Sequence, residues 1–143
     1  MKIVFLILAI TLVTTFAPAQ HIYEPRICPE VWSKEYEPFR IVGNLYYVGT
    51  YDLACYLITT SKGNILINTG LASSASVIKA NIVTLGFQVS DTRILLATQA
   101  RYDHLGAMAS LKKATRAVMM VNEKDAAVLN DGGAFRLRLK GQR

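Results

Sequence analysis

The sequence predicts an α/β fold, a mixed sheet with helices on one face. Three observations point there. Between residues 40 and 68, short apolar runs are separated by tight-turn residues, which reads as a set of antiparallel strands. From residue 64 to residue 129, strands alternate with helical spacing, the order in which helices pack onto a sheet. Ile65, Leu66 and Ile67 are consecutive aliphatics, a pattern that suggests a strand buried on both faces.

Taken in order, residues 1–19 read as a signal peptide. Lys2 gives a positive start, Ile3 to Val13 is strongly apolar, and Ala17-Pro18-Ala19 places small residues where a signal peptidase reads them. The run is well short of the ~20 residues that a membrane span needs. The alternatives are a membrane anchor or a buried strand. Cleavage after Ala19 would start the mature chain at Gln20 and deliver it to the periplasm or the medium, with no membrane attachment. Residues 20–37 are polar, contain Pro25 and Pro29 and lack periodicity, as expected of an N-terminal arm that Trp32 and Phe39 pin to the body.

Regular structure then begins. Arg40-Ile41-Val42 and Leu45-Tyr46-Tyr47-Val48 read as strands around the Gly43-Asn44 turn, Ala54 to Thr59 as a third strand and Asn64 to Asn68 as a fourth. Ser73 or Ser74 can cap a helix running to Leu85, with Ile78, Ile82 and Leu85 on its apolar face and Gly86 at the C′ position. A strand over 94–98 follows, then a helix with Leu105, Met108 and Leu111 on one side. Ala117 to Val121 reads as a strand, and Asn122 can cap a helix from Glu123 to Leu129. Residues 38–133 form the body. After Gly132-Gly133 the character changes: Phe135, Leu137 and Leu139 alternate with Arg136, Arg138 and Lys140, so residues 134–143 are set apart as a divergent basic tail.

The 143 residues allow one domain at most. The net charge of +6 is unevenly placed. Lys2, Arg136, Arg138, Lys140 and Arg143 account for nearly all of it, the body is close to neutral, and nothing argues for nucleic-acid binding. Export would put Cys28 and Cys55 in an oxidising compartment, where they either pair or remain two thiols, Cys55 then packing as a small apolar residue. No Cys-x-x-Cys is present, which argues against a thiol-based zinc site or redox motif.

The stretch that carries chemistry is Thr98-Gln99-Ala100-Arg101-Tyr102-Asp103-His104-Leu105-Gly106-Ala107, in the turn after a buried strand, where α/β proteins place their sites. Asp103 offers a carboxylate oxygen and His104 an imidazole nitrogen, both suited to zinc. The plainer alternative is an Asp that caps the helix starting near Leu105, beside a surface His.

This stretch resembles the His-x-His-x-Asp-His zinc motif of the metallo-β-lactamase superfamily. The segment from Pro38 to Ala54, with Arg40-Ile41-Val42-Gly43-Asn44-Leu45-Tyr46-Tyr47-Val48-Gly49 at its centre, is similar to the opening sheet of the third subclass of metallo-β-lactamases. Gly63-Asn64-Ile65-Leu66-Ile67-Asn68-Thr69-Gly70 is similar too, with Asn68 where Asp is usual. Asn68 and Gln99 together resemble the branch with Gln at the first motif position. The resemblance implies an αββα sandwich, of which this chain holds the first half, and a zinc cofactor at the edge of the two sheets. It further implies hydrolysis of β-lactam antibiotics by a metal-activated hydroxide. Gln99 and position 101 would serve one ion, Asp103 and His104 the other, with Asp103 the candidate catalytic residue. Thioesterases and lactonases share the superfamily; the opening sheet favours the β-lactam branch.

Two departures qualify this expectation. Position 101 is Arg where the motif has His, and a guanidinium has no lone pair to give a metal. The family draws further His ligands from its C-terminal half, whereas this sequence contains only His21 and His104. The chain therefore reads as an interrupted first half with weak or absent activity. The alternatives are a non-catalytic secreted remnant and a small interaction domain. A lone half would leave Ile65, Ile67, Leu95 and similar residues with one face uncovered, which favours self-association.

Overall fold

Residues 24–130 are described by the structure, a computed structural model. The expected signal peptide, His21 and the basic tail lie outside the described residues. Strands β1 (Phe39–Val42), β2 (Leu45–Tyr47), β3 (Tyr56–Ile58) and β4 (Asn64–Ile67) pair in sequence as an antiparallel meander. β5 (Thr92–Leu96) and β6 (Val118–Met120) then join in parallel, giving one six-stranded sheet in the order β1-β2-β3-β4-β5-β6. Parallel neighbours require crossovers. Helix α1 (Ser74–Thr84) lies between β4 and β5, α2 (Tyr102–Leu105) and α3 (Met108–Thr115) lie between β5 and β6, and α4 (Glu123–Asn130) follows β6. The mixed sheet that the sequence predicts is thus the one that forms.

The strand register explains why one face is dry. Tyr46, Leu57, Leu66, Leu95 and Met119 stand side by side across five strands. Leu57, Leu66 and Leu95 are fully buried, and they cluster with Ile78 and Ile82 of α1 and with Leu105 and Leu111 beneath the motif. Each such aliphatic contributes about 1.5–3 kcal/mol by leaving water. The next row, Ile58, Ile65, Ile94 and Val118, points the other way, as does Tyr56, Ile67, Leu96 and Met120. These side chains are half-buried, except that Val118 is 65 % and Met120 49 % exposed. The described residues therefore cover one face only. The consecutive aliphatics of β4 are split between the faces, with Leu66 under the helices and Ile65 and Ile67 on the open side. Leu95, expected on the uncovered face, belongs to the buried row; Ile94 and Leu96 take its place outside.

Several local expectations hold. Gly86 follows α1 with φ +85°, the conformation that favours glycine after a helix. Asn122 caps α4, its Oδ1 accepting from Asp125 N–H at 3.0 Å. Neither Ser73 nor Ser74 caps α1 through its side chain; the Glu24 carboxylate instead accepts the N–H of Ala72 just ahead of the helix. Asn81 of α1 is buried, and its Nδ2 donates to the carbonyls of Val48 and Gly49 at 3.1 and 3.2 Å, bolting the helix to the end of β2. Trp32 does tie the arm down: its Nε1 donates to Asp52 at 3.0 Å and its carbonyl accepts from Thr50. Both thiols are free, with Cys55 buried in the core and Cys28 half-buried.

Candidate functional site

The site forms where two adjacent parallel strands end. β4 runs into Asn68-Thr69-Gly70 and β5 into Ala97-Thr98-Gln99. The first loop clamps the second. Asn68 N–H donates to Leu96 O at 2.8 Å. The carbonyl of His104 accepts from Thr69 twice, from N–H at 2.8 Å and from Oγ1 at 3.1 Å. Gly106 N–H reaches Gly70 O at 2.8 Å. A side chain at Gly106 would meet Ala72 N at 2.4 Å and Leu71 C at 2.5 Å, so only glycine allows this approach. The expected single helix is instead two, α2, one turn over the motif itself, and α3, separated at Ala107, whose φ of −85° and ψ of 0° leave the helical region.

Asp103 lies inside the first turn of α2 and makes no capping hydrogen bond, so the helix-cap alternative does not describe it. Its side chain is 8 % exposed, and that of His104 is 24 % exposed. Gln99, Asp103 and His104 are brought together. Gln99 Nε2 lies 2.6 Å from His104 Nε2, and Asp103 Oδ2 lies 3.7 Å from the same nitrogen. Arg101, 55 % exposed, folds back so that its Nε sits 3.2 Å from Asp103 Oδ1. The geometry is not that of a hydrogen bond, and Asp103 Oδ1 remains buried with no hydrogen-bond partner. Tyr102, a spacer in the motif, places its ring 6.3 Å from that of Trp32.

Two residues with no assigned role in the sequence reading also enter the site. Thr98 Oγ1 stands 3.3 Å from His104 Nδ1. Asn68, at φ +59°, directs its Oδ1 to both Thr98 N–H and Thr98 Oγ1, each at 3.0 Å. The signal for them was the polar pair Asn68 and Thr98 at the ends of apolar strands.

The donor set fits a metal ion in part. A buried carboxylate oxygen without a hydrogen bond and an imidazole nitrogen on the same side are suitable ligands. Zinc takes about three or four protein ligands. Among the described residues no group of three or more His, Cys, Asp and Glu side chains comes together. Gln99 turns an N–H toward His104, and the Arg101 cation already lies against the carboxylate. These residues do not by themselves make a zinc site.

Comparison with known proteins fixes the ancestry. The family model of the metallo-beta-lactamase superfamily matches residues 49–143. That range takes in residues 134–143, the segment set apart in sequence as a basic tail. Among solved structures, the class B3 di-zinc metallo-beta-lactamase LRA-12 from an Alaskan soil metagenome is 63 % identical, with TM-score 0.77, over 80 % of this chain and 43 % of that one. The metallo-beta-lactamase GOB-18 from Elizabethkingia meningoseptica is 59 % identical, with TM-score 0.74, over 78 % and 41 %. A beta-lactamase from Chitinophaga pinensis is 61 % identical, with TM-score 0.74, over 78 % and 42 %. The chain thus spans well under half the length of these structures. With the family model matched over residues 49–143 and these structures sharing both sequence and fold with it, the chain belongs to the metallo-beta-lactamase superfamily.

Proposed function

We propose that this chain carries one half of the site of a zinc-dependent hydrolase that opens β-lactam rings, and that it sustains little or no turnover by itself. The observation that carries the reading is the meeting of Gln99, Asp103 and His104 at the ends of β4 and β5, with Arg101 against the carboxylate. Support for the substrate class comes from relatives that are β-lactamases by name. In this reading Asp103 and His104 are the ligand pair, and Asp103 is the residue nearest the chemistry. Gln99 marks the branch with Gln at the first motif position, as a weak neutral donor. The test is to carry residues 1–130 with Arg101→His into a chimera with the C-terminal part of one of the matched lactamases. Chelator-sensitive hydrolysis of a chromogenic β-lactam by the chimera supports the reading; an inert but folded and zinc-loaded chimera overturns it.

A second reading has its own observation. The open row with Val118 and Met120 suits a non-catalytic interaction domain or self-association through the sheet. We also propose export to the periplasm or medium with cleavage after Ala19. No helix among the described residues is long and apolar enough to cross a membrane. Intact mass of the protein recovered from a bacterial periplasm checks the cleavage: a chain beginning at Gln20 is expected, and retention of residues 1–19 refutes it.

A further inference from the structure

The hydrogen bonds around His104 have a direction that can be worked out from one obligate donor. A backbone N–H can only donate, so the Asn68 atom 3.0 Å from Thr98 N–H is the amide oxygen. That oxygen can only accept, so the Thr98 hydroxyl, also 3.0 Å away, spends its one proton on it. Thr98 Oγ1 is then left with lone pairs alone toward His104 Nδ1 at 3.3 Å. The ring nitrogen must supply the proton. A neutral imidazole carries one proton, so Nε2 is left with a lone pair, and Gln99, 2.6 Å from it, meets it with an amide N–H. The Asp103 carboxylate, at 3.7 Å, is too far to draw a proton onto Nε2 by a hydrogen bond.

We propose that Thr98, held by Asn68, is a positioning residue that fixes His104 as the Nδ1–H tautomer and so presents the Nε2 lone pair to Gln99 and Asp103. The loop conformation serves this end. Asn68 sits at φ +59°, a backbone conformation that Asn tolerates better than most residues, and from there its side chain reaches Thr98. The two Thr69 bonds to the His104 carbonyl hold the ring's own backbone from the same loop. A histidine that would donate an electron pair through one nitrogen is commonly oriented through the other. The use of that lone pair rests on the hydrolase reading; the tautomer does not.

The experiment is long-range proton–nitrogen correlation NMR on the 15N-labelled full chain, without metal or substrate, at a pH where the ring is neutral. His21→Gln identifies the His104 signals. The expected result is a pyrrole-type nitrogen at Nδ1 and a pyridine-type nitrogen at Nε2. Thr98→Ser keeps this pattern. Thr98→Val, which loses the acceptor, shifts the tautomer ratio toward Nε2–H by about five-fold, the worth of one ordinary hydrogen bond. A native ring with its proton on Nε2 overturns the proposal, and so does a folded Thr98→Val chain with an unchanged ratio. Should Thr98→Val fail to fold, the native and Thr98→Ser spectra decide. A reversed tautomer leaves the hydrolase reading intact, while an inert zinc-loaded chimera with the expected tautomer removes that reading alone.

Discussion

Arg101 Nε lies 3.2 Å from Asp103 Oδ1, so the carboxylate best placed to bind a cation already faces one within its own loop. A metal ion approaching Asp103 and His104 meets a fixed positive charge or has to displace it. Arg101→Ala is therefore expected to raise zinc affinity by roughly five- to tenfold, the effect of removing about 1 kcal/mol of partly screened repulsion. Arg101→His raises it further by adding a donor. Titration of zinc against a competing chelator reads both. An Arg101→Ala chain that binds zinc no better than the native one would show that the ion pair does not guard the carboxylate.

Alkaline pH tests the packing of the core. Burial pushes the Cys55 thiol from 9.0 up to about 12. Burial, followed by neighbouring Cys55 and Tyr56, raises the Tyr47 hydroxyl from 10.0 to about 12. In both cases the folded state holds its proton more firmly than the unfolded state. The stabilisation is complete below the unfolded value and is lost as pH rises through about 9 to 12. For Cys55 the loss is at most about 4 kcal/mol, a large part of a small domain's stability. Urea unfolding followed by circular dichroism should show stability falling across this window. Cys55→Ala should be less stable at neutral pH but lose less above pH 9. Equal slopes for the two proteins would contradict the assignment.

The open sheet face makes its own prediction. Among the described residues β6 is an edge strand, and its Val118 and Met120 are exposed beside the half-buried row of Ile65, Ile67, Ile94 and Leu96. Edge strands with apolar faces associate unless charge prevents it. The chain is expected to self-associate at micromolar concentration, and Val118→Lys with Met120→Lys to shift it toward monomer. Sedimentation velocity measures both. A native chain that stays monomeric would count against this use of the face.

Strand order, the α1 face of Ile78 and Ile82, the Gly86 terminus and the Asn122 cap were legible because each depends on local periodicity or turn chemistry. The site was legible as a cluster of residue types: Gln99, Asp103 and His104 do converge. Three things were not. The break between α2 and α3 falls at Ala107, an ordinary helix former that marks no boundary in the sequence. The burial of Leu95 depends on strand register, which a run of aliphatics leaves open. The roles of Asn68 and Thr98 depend on two parallel strands ending side by side, a relation that no spacing along the chain encodes.

Asp103 and His104, with Gln99 and beside Arg101, are proposed to form too small a donor set to run hydrolysis alone. The most direct measurement is hydrolysis of a chromogenic β-lactam by the unaltered 143-residue chain with added zinc, with and without chelator. A rate at background is expected in both cases. Chelator-sensitive turnover by the unaltered chain would contradict it.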